Sequence, residues 1–322
     1  MDPVITCSKL NVRFRTHDGE VAAVADLDFQ LNPGECLGVV GESGSGKSQT
    51  FMAMFGLLAA NGRATGSLRY RDTELLDAPR AVLDGIRGNR VAMIFQDALS
   101  GLTPTMRVGQ QMAEVLKRHK GLGERAAKAQ VIEALEMVRI ADAPRRYDAY
   151  PFEMSGGMRQ RVMIALSTLC QPEVLVADEP TTALDVTVQA QVLRLLNGLK
   201  RHTGTSLVLI THDLGVVAGI CDRVMIMYAG RAVEQGPVAE IFNRPAHPYT
   251  AALLRSMPSL AIDPGTDLPV IPGQPPDLEA LPPGCAFATR CTRVFDRCRV
   301  ERPLLRPVNG DNGHSRACHL EP

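Results

Sequence analysis

Eight consecutive residues carry the densest chemistry in the chain: Gly41-Glu42-Ser43-Gly44-Ser45-Gly46-Lys47-Ser48. The glycines let the backbone curl until successive N–H groups point inward and cradle an anion. Lys47 adds a formal charge for β- and γ-phosphates, and the Ser48 hydroxyl is of the type that ligates Mg²⁺. An apolar run, Leu37 to Val40, precedes the loop, and a helix-compatible run, Gln49 to Leu58, follows it. Strand, glycine loop, Lys-Ser and helix is the phosphate-binding P-loop in its required context. The helix aims its positive N-terminal end at the same phosphates. An ordinary glycine turn needs neither the lysine nor the hydroxyl. Gly41 through Gln49 are read as a nucleoside triphosphate site.

Three more apolar runs end on polar residues. Val91–Phe95 ends on Gln96, Val174–Ala177 on Asp178-Glu179, and Ser206–Ile210 on Thr211-His212. In an open parallel sheet the functional edge lies at the carboxyl ends of the strands. The reading therefore gathers Lys47, Ser48, Gln96, Asp178, Glu179 and His212 in one site. Asp178 suits a Mg²⁺-associated carboxylate. Glu179, next to it, suits orientation or deprotonation of an attacking water. Gln96 offers an amide to metal or water, and His212 a donor to the γ-phosphate. Singly, such a glutamine or histidine is more often a surface residue; three strand ends behind one P-loop are not.

These residues need a scaffold, and the rest of the chain supplies it. Residues 4–31 alternate apolar and polar, as antiparallel strands broken at Asp18-Gly19 do. Ser67–Tyr70 reads as an edge strand. From Val108 to Val138 apolar residues recur every three or four positions, as two helices parted at Gly121 and Gly123. Gly156-Gly157 reads as a turn opening a helix to about Leu169. A helix from about Val186 to His202 and a hairpin around Ala229-Gly230 complete the core. Beyond residue 243 the composition changes: residues 244–322 hold 13 of the 22 prolines, with one helix-compatible piece at Tyr249–Arg255. Such a tail lacks a core of its own and is expected to lean on the main domain or on a metal centre.

Bulk properties limit the function classes. Lys+Arg and Asp+Glu both number 35 in 322 residues, which argues against a strongly basic nucleic-acid surface. No apolar run approaches the roughly 18 residues of a membrane span. The start, Met1-Asp2-Pro3, shows no secretory signal, so a cytosolic protein that meets a membrane only through partners is expected. Four of eight cysteines crowd the tail, as Cys285-x5-Cys291-x6-Cys298-x19-Cys318. Four thiolates suit an iron–sulfur cluster or a tetrahedral zinc, and the spacing alone decides neither.

Ser155-Gly156-Gly157 with Arg159-Gln160-Arg161 resembles the signature of the ATP-binding-cassette ATPases. The order P-loop, Gln96, signature, Asp178-Glu179, Ala183-Leu184-Asp185, His212 is similar to that family's series. Longer strings, among them Asp178-Glu179-Pro180-Thr181-Thr182-Ala183-Leu184-Asp185-Val186-Thr187-Val188-Gln189, look like the D-type ATPase subunits of bacterial oligopeptide and dipeptide permeases. His247-Pro248-Tyr249-Thr250 and the tail cysteines match that branch as well, the oligopeptide side being favoured.

The resemblance implies an α/β P-loop NTPase: a RecA-like core, an antiparallel β subdomain, an inserted helical signature subdomain at about 97–158, and a Cys-rich extension after a cassette spanning 1–243. It implies ATP and Mg²⁺ as cofactors. Ser155, Gly156 and Gly157 would face the nucleotide of a partner subunit, and Asp185 the dimer seam. Similar tails carry a [4Fe-4S] cluster on cysteines matching Cys285, Cys291, Cys298 and Cys318, with zinc as the alternative. A sister ATPase, two transmembrane permease subunits and, indirectly, an extracytoplasmic peptide-binding protein are the implied partners, at the cytoplasmic face of the bacterial inner membrane. No nucleic-acid partner is implied: cassettes that act on DNA or ribosomes usually carry a long coiled-coil insertion or a second cassette, and this chain has neither. Met154 and Met158 replace the family's frequent Leu and Gln, and Ala98 stands where this branch usually has proline. Phe14, with His17 behind it, is the candidate for adenine stacking, or else a plain strand residue.

Overall fold

The computed structural model describes residues 2–17, 19–97, 101–182, 184–257, 270–308 and 313–321. In chain order the strands β1 (Ile5–Arg15) and β2 (Glu20–Leu31) lead to β3 (Cys36–Val40) and helix α1 (Lys47–Met54). Then come β4 (Gly62–Tyr70), β5 (Thr73–Glu74), α2 (Arg80–Ile86) and β6 (Val91–Ile94). A helical stretch follows: α3 (Val108–Lys120), α4 (Glu124–Met137), α5 (Ala143–Tyr147) and α6 (Gly156–Thr168). Strand and helix then alternate through β7 (Val174–Asp178), α7 (Val186–Thr203), β8 (Ser206–Thr211), α8 (Leu214–Ile220), β9 (Arg223–Tyr228) and β10 (Arg231–Pro237). The chain closes with α9 (Val238–Asn243), α10 (Pro248–Arg255), α11 (Asp296–Val300), β11 (Arg306–Pro307) and β12 (Ser315–Arg316).

The elements sort into two compact units. The first holds Met1–Val4, Asn32–Cys36 and Ala78–Ile210; the second holds Ile5–Leu31, Leu37–Asp77 and Thr211–Pro322.

In the first unit, β7 lies between β6 and β8 in parallel register, with Ala177 opposite Ile94 on one side and Leu209 on the other. Every residue of β6, β7 and β8 is buried, which is why these strands read as unbroken apolar runs rather than alternations. Ser167 on α6 donates to the Met93 carbonyl at 3.0 Å and ties that helix to β6. Helices α3 and α4 bury Val108, Met112 and Leu116, and Val131 and Leu135, one residue per turn, as the periodicity predicts. Gly121 ends α3 in the left-handed conformation that closes a helix without strain.

In the second unit, an antiparallel sheet runs β2-β1-β4-β5. Beside it, β3 pairs in parallel with β9, which pairs antiparallel with β10; the tail strands β12 and β11 extend that edge. Val40, Val217, Val224, Ile226, Tyr228, Ile241, Tyr249 and Phe287 share one buried cluster. Phe287 lies 5.3 Å from both the Tyr228 and the Tyr249 ring centres. The expectation that the tail leans on the rest of the chain is met: it contributes to this core.

One reading needs correction. The helix after the P-loop is expected over Gln49–Leu58 but spans Lys47–Met54, because Gly46 turns left-handed at its start and Gly56 turns left-handed past its end. Gly156 and Gly157 open α6, which runs to Thr168, as the sequence predicts. The short helix α8 has no counterpart in the sequence analysis; Asp213 caps it by accepting the N–H groups of Gly215 and Val216.

One buried carboxylate anchors the tail. Glu234 on β10 is fully inaccessible and accepts the N–H of Ala246 at 2.7 Å and of His247 at 3.0 Å, while His314 Nε2 lies 2.8 Å from it. Removing it strands the N–H groups of Ala246 and His247 and a ring nitrogen. Glu234→Ala is expected to destabilise the folded chain by about 3 kcal/mol, read as a lower midpoint in urea denaturation. Glu20→Ala, at an exposed ion pair with Arg13, should shift it by less than about 1 kcal/mol.

Candidate nucleotide site

The loop between β3 and α1 is held open by glycines at positions where no other residue fits. A Cβ on Gly41 would stand 2.2 Å from the Met227 carbonyl oxygen, and one on Gly46 would stand 2.2 Å from that of Ala23. Gly44 and Gly46 have φ of 77° and 95°. The hairpin turn supports the loop from below: Gly230 N–H donates to the Ser45 carbonyl at 3.1 Å, and Ala25 N–H to the Gly230 carbonyl at 2.9 Å.

Gly46 is the N-cap of α1 and has no side chain to offer, so no side-chain cap meets the first-turn N–H groups. A helix N-terminus of this kind is the arrangement that receives an anion. Ser43 and Gly44 are exposed, while Ser48 and Gln49 are half-buried. Lys47 is buried, and its Nζ donates to the Gly41 carbonyl at 2.8 Å and the Glu42 carbonyl at 2.9 Å. The ammonium is thereby folded back over the loop and pre-positioned above the cradle. These residues fit a triphosphate.

The second set of residues lies in the first unit. Asp178 ends β7 and is buried. Glu179 follows with φ of 45°, a left-handed conformation that a non-glycine residue holds at a cost of about 1–2 kcal/mol. Its N–H donates to the Ile210 carbonyl at 2.9 Å. Its Oε2 accepts the Gln96 amide at 3.1 Å and the Thr182 hydroxyl at 2.9 Å. Strain of this kind gathers at functional positions. Gln96 and Glu179, 83 residues apart, are thus brought together as the strand-end argument requires. Thr182 is a third member that the sequence reading quoted in a string without giving it a role.

Ser155 and Asp185 have local duties the reading did not assign. Each is an N-cap: Ser155 Oγ accepts the Met158 N–H at 3.3 Å to start α6, and Asp185 Oδ1 accepts the Val188 N–H at 2.9 Å to start α7. Both are exposed, as is Gly156. The start of α6 therefore presents a helix N-terminus to the outside, a suitable face for another molecule's anion. His212 follows β8 and is exposed; it and the P-loop belong to the second unit, while Gln96, Asp178, Glu179, Ser155 and Asp185 belong to the first. Phe14 is half-buried with its ring against Gly62, and His17 is exposed. Asp18, Ala98 and Ala183 lie outside the described residues.

In the tail, Cys285, Cys291, Cys298 and Cys318 all border one small pocket, with His247, Phe287 and His319. None is in a disulfide. Burial pushes the Cys285 thiol up to about 11, and the three neighbouring cysteines add to the rise. Burial likewise raises Cys291 and Cys318. Among the described residues no group of three or more His, Cys, Asp or Glu side chains is arranged to hold a metal ion. The donor chemistry of a metal centre is present; the closed coordination of a single ion is not.

Comparison with known proteins identifies both parts of the chain. A model of the ABC transporter family matches residues 24–182, and one described as the oligopeptide/dipeptide transporter C-terminal region matches residues 233–298. The oligopeptide transport ATP-binding protein OppD of Haemophilus influenzae is 51% identical over 322 residues, covering 99% of this chain and 98% of its own. The protein of the same name from Escherichia coli is 50% identical over 303 residues, or 94% of this chain and 90% of its own. Among solved structures, the dimeric post-hydrolysis state of the ATP-binding cassette MJ0796 bound to ADP and Pi has a TM-score of 0.66 at 23% identity, covering 73% of this chain and 98% of that one. At that identity it speaks to the fold alone, which is that of a P-loop cassette. Because the likeness to the transport proteins spans the glycine loop, the Gln96–Glu179 pair, the signature and the tail together, the chain belongs to the ATP-hydrolysing subunits of ABC transporters, in the branch that carries the oligopeptide/dipeptide C-terminal region.

Proposed function

We propose that this chain is the ATP-hydrolysing subunit of an importer that takes oligopeptides across the bacterial cytoplasmic membrane. The observation that carries the reading is identity near one half with oligopeptide transport ATP-binding proteins over practically the whole chain, tail included. In this reading the loop N–H groups and Lys47 hold the phosphates of ATP. Ser48, Gln96 and Asp178 attend the Mg²⁺, Glu179 activates the water, and His212 supports the γ-phosphate. Ser155, Gly156 and Gly157 complete the nucleotide site of a sister ATPase subunit, with Asp185 at the seam. Two permease subunits receive the motion at the inner face of the membrane, and an extracytoplasmic binding protein brings the peptide. No helix among the described residues is long and apolar enough to cross a membrane.

The test is co-expression with a sister ATPase, two permease subunits and a peptide-binding protein, followed by uptake of labelled peptides into vesicles. ATP-dependent uptake of peptides of three or more residues is expected. Uptake restricted to dipeptides or nickel chelates would move the cargo to the alternative reading. Co-purification with nucleic acid and no membrane partner would end it.

The tail cysteines are proposed to hold a [4Fe-4S] cluster. Four thiolates suit a tetrahedral zinc as well as a cluster, and it is the resemblance of the tail that favours the cluster. A four-iron cluster binds each thiolate to a different iron, so its sulfurs stand farther apart around a shared space. Cys285, Cys291, Cys298 and Cys318 border one small pocket. Anaerobically purified protein is expected to contain iron and sulfide and to absorb broadly in the visible. Cys298→Ser should remove that absorption. Stoichiometric zinc without iron would replace the cluster with the alternative.

A further inference from the structure

The residue that completes the phosphate loop comes from the far end of the chain. Glu42, second in the loop, has every polar group engaged. Its carbonyl accepts Lys47 Nζ at 2.9 Å and Ser45 N–H at 3.2 Å; its own N–H donates to the Tyr249 hydroxyl at 3.1 Å. Its carboxylate accepts Arg290 Nη1 at 2.8 and 3.1 Å. Tyr249 belongs to α10, and Arg290 precedes Cys291 in the tail.

Arg290 is built in. Its side chain is 5% exposed. Nη1 also donates to the Tyr228 hydroxyl at 3.2 Å, Nε to the Pro272 carbonyl at 2.9 Å, and Nη2 to the Ile271 carbonyl at 3.3 Å. The guanidinium carbon stands 5.9 Å from the Tyr228 ring centre and 6.0 Å from that of Phe287. A guanidinium fully used in this way is a fixed charge at a fixed place.

A carboxylate inside a loop that binds a polyanion is electrostatically unfavourable. Glu42 adds negative charge beside the cradle where the triphosphate must sit, and its half-buried carboxylate is only partly screened by water. Arg290 cancels that charge. It also holds Glu42 still, and the Glu42 carbonyl in turn holds the Lys47 ammonium over the cradle.

We infer that Arg290 is a positioning residue for nucleotide binding, and that the C-terminal extension acts through it as part of the P-loop. The inference rests on the reading of Gly41–Ser48 as the ATP-binding loop and extends it to a residue 248 positions away. It gives the extension a duty at the nucleotide, whatever its cysteines bind.

The test measures binding of a fluorescent ATP analogue with Mg²⁺ to the full chain, for the parent protein and four variants. Arg290→Met keeps the packed stem and removes the charge; its affinity is expected to fall about tenfold, the scale of one partly screened charge at this range. Arg290→Lys keeps a charge and should stay within about threefold of the parent. Glu42→Gln supplies the single-variant reference, and the double variant Arg290→Met/Glu42→Gln should recover most of the loss, because the charge that needed cancelling has gone.

An Arg290→Met protein that folds and binds as the parent does would overturn the inference. So would a loss that the second substitution does not relieve, since Arg290 would then be only a structural pin. If Arg290→Met does not fold, the comparison of Arg290→Lys with Arg290→Gln carries the same decision: equal affinities refute a role for the charge. A parent chain that binds no nucleotide would instead refute the assignment of the loop, which is a separate failure.

Discussion

Glu179→Gln is expected to leave ATP binding intact and to lower turnover by about 10²–10⁴-fold, the usual contribution of a general base. The substitution changes very little else. The amide is isosteric with the carboxylate, and its oxygen can still accept the Gln96 and Thr182 hydrogen bonds that position Oε2. What it loses is the ability to take a proton from water. The backbone remains in the same left-handed conformation, fixed by the N–H bond to Ile210 and not by the side chain. Turnover is best read in an assembled complex whose sister site has been inactivated, so that a second active site cannot mask the loss. Undiminished hydrolysis there would remove Glu179 from the role of base. Thr182→Ala makes a useful companion. It deletes one of the two donors that aim the carboxylate while sparing the carboxylate itself, so it should cost about tenfold and no more.

Gly46→Ala is the second large effect, and its cause is steric. A Cβ at this position would stand 2.2 Å from the Ala23 carbonyl oxygen and 3.2 Å from the Val24 side chain. The first neighbour is backbone in a paired strand and cannot move aside cheaply. The φ of 95° adds about 1–2 kcal/mol of its own. The loop must therefore shift, and the N–H groups at the start of α1 shift with it. Nucleotide affinity is expected to fall at least about 100-fold, with circular dichroism unchanged, as measured by titration calorimetry. Gly44→Ala separates the two causes. That glycine also has a positive φ, 77°, but nothing lies within 4 Å of its would-be Cβ. It should show the backbone penalty alone, about a tenfold loss. Equal effects at both positions would show that crowding against Ala23 is not what makes Gly46 irreplaceable.

The nucleotide site was legible because its chemistry is local. Gly41, Gly44, Gly46, Lys47 and Ser48 act through backbone conformation and reach over eight adjoining positions, and both are consequences of residue type. Gln96 and Glu179 were legible for a related reason. Parallel strands buried on both faces are short and wholly apolar, so the first polar residue after each marks a strand end. Bringing those ends to one edge needs only that the strands be parallel neighbours. Composition also carried the weakness of the tail, which has many prolines and little core.

Other features had no such signature. Ser155 and Asp185 were read only for a partner, yet each also starts a helix; capping depends on which neighbouring N–H the chain happens to present. Thr182 gained its place beside Glu179 from the turn that links them. Glu234 was one acidic residue among many until three partners closed around it. Arg290 was one of many arginines, and Glu42 one variable position in a glycine loop.

Residue types and spacing alone point to a triphosphate at Gly41–Ser48 and to carboxylates at a strand end. Those properties belong to segments, and segments can be read. The coupling of Arg290 to Glu42 could not be read, because it joins positions 248 apart. No local rule carries a constraint over that distance. It exists because Tyr228, Tyr249 and Phe287 bury one another and, in doing so, draw the tail over the loop. Side-chain packing makes that choice, and packing is a property of the folded chain.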